Sequence, residues 1–181
     1  LYAKTRESGP WDLVTVGFKI ATYIHVGREN LLESAILQGA THVLWLDTDM
    51  SFPADGAIRL ARHNLPFVAG NYVTRDGSSQ FTARRDGVRI ATGPDSTGLE
   101  TVDAVGFGFV LMRTDITRHL PRPWFQHGIN ERGGDIGEDF MFCAALRRAG
   151  YDVLIDHDLS KDLGHVGQTT YYTHRHVEVA L

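Results

Sequence analysis

Apolar and polar positions along this chain follow two rhythms, and the switches between them mark its elements. After the break at Gly9-Pro10, the β-branched run Leu13-Val14-Thr15-Val16 predicts that the first regular element starts near Asp12, as a strand. From Arg28 to Gln38, Leu31, Leu32, Ala35 and Ile36 recur at helical spacing, and Gly39 stands where a left-handed cap closes such a helix. A buried strand, His42-Val43-Leu44-Trp45-Leu46, follows and stops at Asp47-Thr48-Asp49. Ser51-Phe52-Pro53-Ala54-Asp55 then offers a capping residue, an early proline and an acidic first turn to a short helix carried by Ile58, Leu60 and Ala61. Leu65 to Tyr72 reads as another buried strand.

The middle of the chain changes character. Gln80–Arg85 and Val88–Ala91 flank Asp86-Gly87, a dipeptide that favours the tight turn of a two-residue hairpin. Val102–Met112 has strand composition but is interrupted by Gly106 and Gly108, which mark a bulge or the close approach of another backbone or a ligand. Residues 128–137 read as a glycine-rich mobile loop, Glu138–Ala149 as a helix ending at Gly150, and Asp152–Asp156 as the last clear strand. The tail beyond Gly167 holds Tyr171, Tyr172, His174 and His176 without a period, and no fold is assigned to it. Strands alternating with helices predict a single α/β, Rossmann-like domain. Its sheet is expected to be mixed but mostly parallel, flanked by helices, with antiparallel additions.

Composition bounds the function. A chain of 181 residues suits one domain, and 43% hydrophobic with 22% charged residues is ordinary for a globular protein. A formal net charge of -4 argues against a broad nucleic-acid footprint. The single Cys143 has no internal disulfide partner and is expected to pack as a buried thiol, which suits a cytoplasmic setting. No apolar run approaches the roughly 20 residues of a membrane span, and no signal-peptide layout opens the chain, so a soluble protein is expected.

Three segments carry candidate chemistry. Asp47 and Asp49, one residue apart at a strand's carboxyl end, can hold a hard divalent cation, although a polar turn accounts for them equally well. Glu138-Asp139 suits metal or proton chemistry, yet carboxylates are favoured in any helix's first turn. His165, in Leu163-Gly164-His165-Val166-Gly167, is a ligand candidate or a plain loop residue.

In order and placement these segments resemble the GT-A class of nucleotide-sugar-dependent glycosyltransferases (family 2-like). The likeness rests on the strand delivering Asp47-Thr48-Asp49, on Ser51-Phe52-Pro53, on Gly70-Asn71-Tyr72, on Val105 to Gly108, and on the Gly137-Glu138-Asp139-Phe140 helix start running on to Tyr151. His165 closes the pattern, which spans roughly residues 24 to 167. The resemblance implies a metal-dependent hexosyl transfer from a nucleoside diphosphate sugar to a hydroxyl acceptor: a glycan, a lipid, a small metabolite or a modified nucleobase. It implies Asp49 and His165 as direct metal ligands and Asp47 as a ligand or ribose contact. The imidazole tilts the metal toward Mn²⁺ over Mg²⁺. Arg28 and Arg75 would meet donor phosphates. In inverting members Asp139 would act as base with Glu138 orienting the acceptor, whereas retaining members need no such base, so the stereochemical outcome stays open. Gly106, Phe107 and Gly108 would line the sugar or acceptor pocket, and Trp124 would stack on a sugar or serve as core. One departure concerns the strand that holds the nucleotide base in such enzymes. Either it precedes Leu1 or Leu13 to Ile20 replaces it, which leaves the base undefined. Two other functions suit the same residues: a metal-dependent nucleotidyltransferase or phosphohydrolase, and a non-catalytic nucleotide-sugar-binding or assembly module.

Overall fold

The buried runs read in the sequence meet in one five-stranded sheet, in a computed structural model that describes residues 1–75, 80–167 and 170–172. In chain order the elements are α1 (Tyr2–Ser8), α2 (Ile24–Leu37), β1 (His42–Leu46), β2 (Met50–Ser51), α3 (Gly56–Arg62) and β3 (Phe67–Ala69). Next come β4 (Arg84–Arg85), β5 (Val88–Arg89), β6 (Leu99–Val102), β7 (Phe109–Arg113), β8 (Gly128–Ile129) and β9 (Asp135–Ile136). The chain continues through α4 (Glu138–Arg148), β10 (Val153–Asp156), α5 (His157–Ser160), β11 (Gly164–Val166) and β12 (Thr170–Tyr172).

The main sheet has the order β1-β7-β3-β10-β6. Strand β7 runs antiparallel to both β1 and β3, β3 and β10 form the one parallel pair, and β6 is antiparallel to β10. The domain is therefore α/β with a mixed sheet, but that sheet is mostly antiparallel, not mostly parallel. The β1-α3-β3 unit does return its second strand in the direction of the first. What the hydrophobic pattern could not reveal is that β7 slots between them, running the other way.

Both faces of the sheet are covered, which is why β7 reads as an unbroken apolar run. Its Val110 and Met112 join a core with Leu32 of α2, Trp45, Phe67 and Phe142 of α4, while Phe109 and Leu111 join a second core with Leu60 of α3, Leu159 and Leu163. Cys143 is fully buried in the first core as expected, and burial pushes its thiol up to about 12.

Several local signals correspond to the structure. Gly39 and Gly150 take the left-handed conformation beyond their helices, and Asp86 and Gly87, at φ 51° and 76°, turn β4 into β5. Other expectations need correction. A helix, α1, precedes Asp12, and residues 12–23 form no strand; this run leaves Leu13, Val16, Phe18 and Ile20 exposed. Its β-branched residues favour a strand only where a neighbour supplies hydrogen bonds, and none among the described residues does. Helix α2 begins at Ile24, ahead of Arg28, and residues 128–137 contain the short β8–β9 hairpin. Among the described residues no helix is long and apolar enough to cross a membrane. His174 and His176 lie outside the described residues.

Candidate active site

The carboxyl ends of β1, β3 and β10 share one edge of the sheet, and the chain enters β7 from that same edge. There the Asp47 N–H donates to the Gly108 carbonyl at 3.1 Å, so the first carboxylate is set by the last rung of the β1–β7 ladder. The chain turns at once, with Met50 N–H on the Asp47 carbonyl, and β2 pairs with β11 so that His165 lies opposite Met50. The turn carries Asp49 to the imidazole: Asp49 Oδ2 is 3.3 Å from His165 Nε2 and 2.7 Å from Arg75 Nη1.

The other nitrogen of His165, Nδ1, lies 3.0 Å from the Val73 carbonyl, which can only accept. Nδ1 therefore carries hydrogen, and an Nε2 lone pair would face a carboxylate oxygen unless a proton or cation sits between them. A carbonyl that fixes the tautomer in this way is the usual support behind a metal-binding imidazole. By this criterion Asp49 and His165 fit a divalent cation. Among the described residues no cluster of three His, Cys, Asp or Glu side chains is already drawn around one point.

Beside this pair lies a buried ionic cluster built by Arg28. Its Nη2 donates to Asp47 at 2.9 Å and its Nη1 to Glu138 at 3.0 Å, joining α2 to the start of α4 across 110 residues. The guanidinium also lies over the Phe107 ring, 5.2 Å from its centroid. Burial raises the Asp47 carboxyl above its ordinary range, and Arg28 pulls it partly back. His127 Nε2 stands 3.8 Å from the second oxygen of Glu138.

Asp139, the next residue, has no such cation. Burial, reinforced by the adjacent Glu138 charge, pushes its carboxyl up to about 6, although it accepts the Phe140 N–H at 2.8 Å. It lines an open cleft of about 400 Å³ together with Tyr72, Thr82, Arg84, Gly106 and Asn130. Tyr72 forms part of that lining: its hydroxyl accepts the Gly108 N–H at 3.0 Å, and burial raises its pKa so that it stays neutral. A Cβ at Gly106 would lie 2.5 Å from the Tyr72 oxygen, and one at Gly108 would lie 2.7 Å from its ring. The two glycines make room for this ring.

The structure thus brings Asp47, Asp49, Glu138, Asp139, His165, Arg28 and Arg75 to one edge, but several assigned roles change. Glu138 faces Arg28, so it braces the cluster and is not placed to orient an acceptor. Arg28 is buried between two carboxylates and not free to meet phosphate. Phe107 is core, packed on Trp45, Phe125 and Phe142, so only Gly106 of the Gly-Phe-Gly triplet lines the cleft. Trp124 is not at the cleft; it packs against the core, donates to the Thr117 carbonyl at 3.3 Å and lies under Arg122. Sequence reasoning quoted Tyr72 but gave it no role, and overlooked Arg84 altogether. The paired glycines two residues apart were the signal for the ring that fills the space above them.

No family model and no curated protein matches the chain. Among solved structures, the crystal structure of A197 from STIV is similar, with a TM-score of 0.61 at 18% identity, covering 86% of this chain and 74% of that one. At that identity the likeness establishes a shared α/β fold and nothing about activity.

Proposed function

We propose that this chain is a metal-dependent glycosyltransferase that moves a sugar from a nucleoside diphosphate sugar to a hydroxyl acceptor. The observation that carries the reading is how differently four carboxyl groups at one sheet edge are treated. Asp47 and Glu138 are neutralised by Arg28, Asp49 faces an imidazole across a gap suited to a cation, and Asp139 lines an open cleft and forms no ion pair among the described residues.

In this reading Asp49 and His165, backed by Asp47, hold Mn²⁺ or Mg²⁺. A divalent ion there supplies Lewis-acid neutralisation of the charge that collects on a departing nucleoside diphosphate. Arg75, whose side chain is half exposed where it meets Asp49, can turn a donor toward phosphate oxygens. Asp139 takes the proton of the acceptor hydroxyl; a base titrating near 6 is ionised at neutral pH yet still basic enough to draw that proton. Phe107 and Tyr72 hold Arg28 and the Gly108 backbone in place behind these groups.

Incubation with Mn²⁺ and a panel of nucleotide sugars tests the reading through slow hydrolysis of the donor. Free sugar with nucleoside diphosphate is the expected product, and Asp49→Ala abolishes both its release and metal-dependent donor binding. Nucleoside monophosphate would assign the site to attack at phosphorus, as in a nucleotidyltransferase or phosphohydrolase. Binding without turnover of any donor would make the chain a nucleotide-sugar-binding module.

A further inference from the structure

The cleft that holds Asp139 contains a cation the proposed reaction does not use. Arg84 leaves the β4 strand at the cleft wall with its guanidinium stacked on Phe140, the residue after Asp139, at 5.2 Å from the ring centroid. Its Nε is buried without a hydrogen-bond partner, and among the described residues its side chain forms no ion pair. The backbone around it is fixed: Arg84 N–H donates to the Ala104 carbonyl at 2.8 Å, and the Arg84 carbonyl accepts from Asp103 N–H at 2.7 Å. The charge is thus held rigidly at the cleft rather than trailing in solvent.

A guanidinium whose Nε is buried and unbonded, with no counter-anion among the described residues, carries a desolvation cost that is not fully compensated, and such groups are ordinarily paired. The other charged groups of the cleft do not supply the partner. Asp139 and Asp135 both line it, yet neither forms an ion pair with Arg84, and Arg89 adds a second guanidinium to the same wall. Thr82 and Asn130 complete a polar lining suited to hydroxyl groups.

The geometry points to an acceptor that carries an anionic group, a carboxylate, sulfate or phosphate, held by Arg84 while one of its hydroxyls faces Asp139. This inference rests on the glycosyltransferase reading for the word acceptor, and on Arg84 alone for the anion. A planar guanidinium suits the paired oxygens of any of these groups, and stacking on Phe140 presents its edge in a fixed plane. A neutral competitor could use the same hydroxyl contacts but would leave the Arg84 charge unmatched.

Binding of glucuronic acid, glucose 6-phosphate, glucose 6-sulfate and glucose to the whole chain, measured by titration calorimetry and ligand-observed NMR at pH 7, tests this. At least one acidic sugar is expected to bind tenfold or more tightly than glucose, and the pattern among the three identifies the group. Arg84→Met, which keeps the packing of the stem on Phe140, is expected to erase the preference, while Arg84→Lys keeps part of it. In the wild type the Arg84 Nε–H resonance, assigned by its loss in Arg84→Lys, is expected to move with the acidic sugar and not with glucose. That measurement decides the matter if Arg84→Met does not fold. Equal binding of acidic and neutral sugars, or a stationary Arg84 resonance, would each overturn the inference. Donor hydrolysis by the wild type keeps the two ideas separate. Turnover without anion preference removes the acidic acceptor and leaves the transferase, whereas anion preference without turnover removes the transferase and leaves the anion site.

Discussion

Glu138 and Asp139 are neighbours in the chain and opposites in chemistry. Glu138 lies in the Arg28 cluster, paired with its guanidinium, whereas Asp139 opens into the cleft with burial and its neighbour's charge both working against its anionic form. The α-helical turn of about 100° per residue separates them: successive side chains leave the helix in different directions, so one meets the α2 guanidinium and the other the cleft. One region uses a carboxylate to join elements, and the other leaves a carboxylate facing an open cleft.

The largest effect should come from breaking the matched region. Arg28→Met leaves the buried Glu138 and the part-exposed Asp47 without their cation and should destabilise the fold by about 3 kcal/mol, most of it from Glu138, read from denaturant unfolding. Adding Glu138→Gln to that variant should restore part of the loss, because it removes one of the stranded charges. If Arg28→Met unfolds like the wild type, the cluster does not hold α2 to α4.

Asp139→Asn sharpens the contrast from the other side. A carboxyl whose folded pKa is raised to about 6 contributes stability that is fully present below its unfolded value and is lost as pH rises through about 6. The wild type should therefore lose roughly 1–3 kcal/mol between about pH 4 and pH 6 at this residue, and the asparagine variant should not. At pH 7 Asp139→Asn should be the more stable protein while transfer falls by about 10²–10⁴-fold. The wild-type rate should climb through about pH 6 as the base ionises. Normal turnover by the variant would end the assignment of Asp139 as base.

A smaller effect tests the fit of Gly108 against Tyr72. A methyl group at Gly108 would lie 2.7 Å from the Tyr72 ring, so Gly108→Ala should cost about 1–3 kcal/mol, and Tyr72→Leu in the same chain should relieve most of it. Additive losses in the double variant would show that the two residues do not share that space.

Much of this edge was legible in the sequence because local rules govern it. The strand before Asp47, the Asp86-Gly87 turn, the left-handed Gly39 and Gly150 and the helix from Glu138 each follow from residues within a few positions. What could not be read depends on partners distant in the chain. That β7 would separate β1 from β3 is decided by pairing across more than sixty positions, as Val43 faces Met112. Which of two adjacent carboxyls would be neutralised depends on where Arg28 arrives from α2, and Phe107 looked like a pocket residue until four aromatic neighbours and the Arg28 guanidinium claimed it. The run at Leu13–Val16 has strand composition without a strand's hydrogen bonds, which a propensity cannot supply.

The reversed course of β7 has a geometric dividend. In an all-parallel sheet each strand sends one connection out from its carboxyl edge and receives the other at the opposite rim. A reversed strand delivers its incoming connection to the working rim instead, so Gly106–Gly108 arrives where Asp47 departs and bonds to it. Strand ends of both directions therefore meet at one rim, and a chain of modest length gathers groups from residue 28 to residue 165 along it.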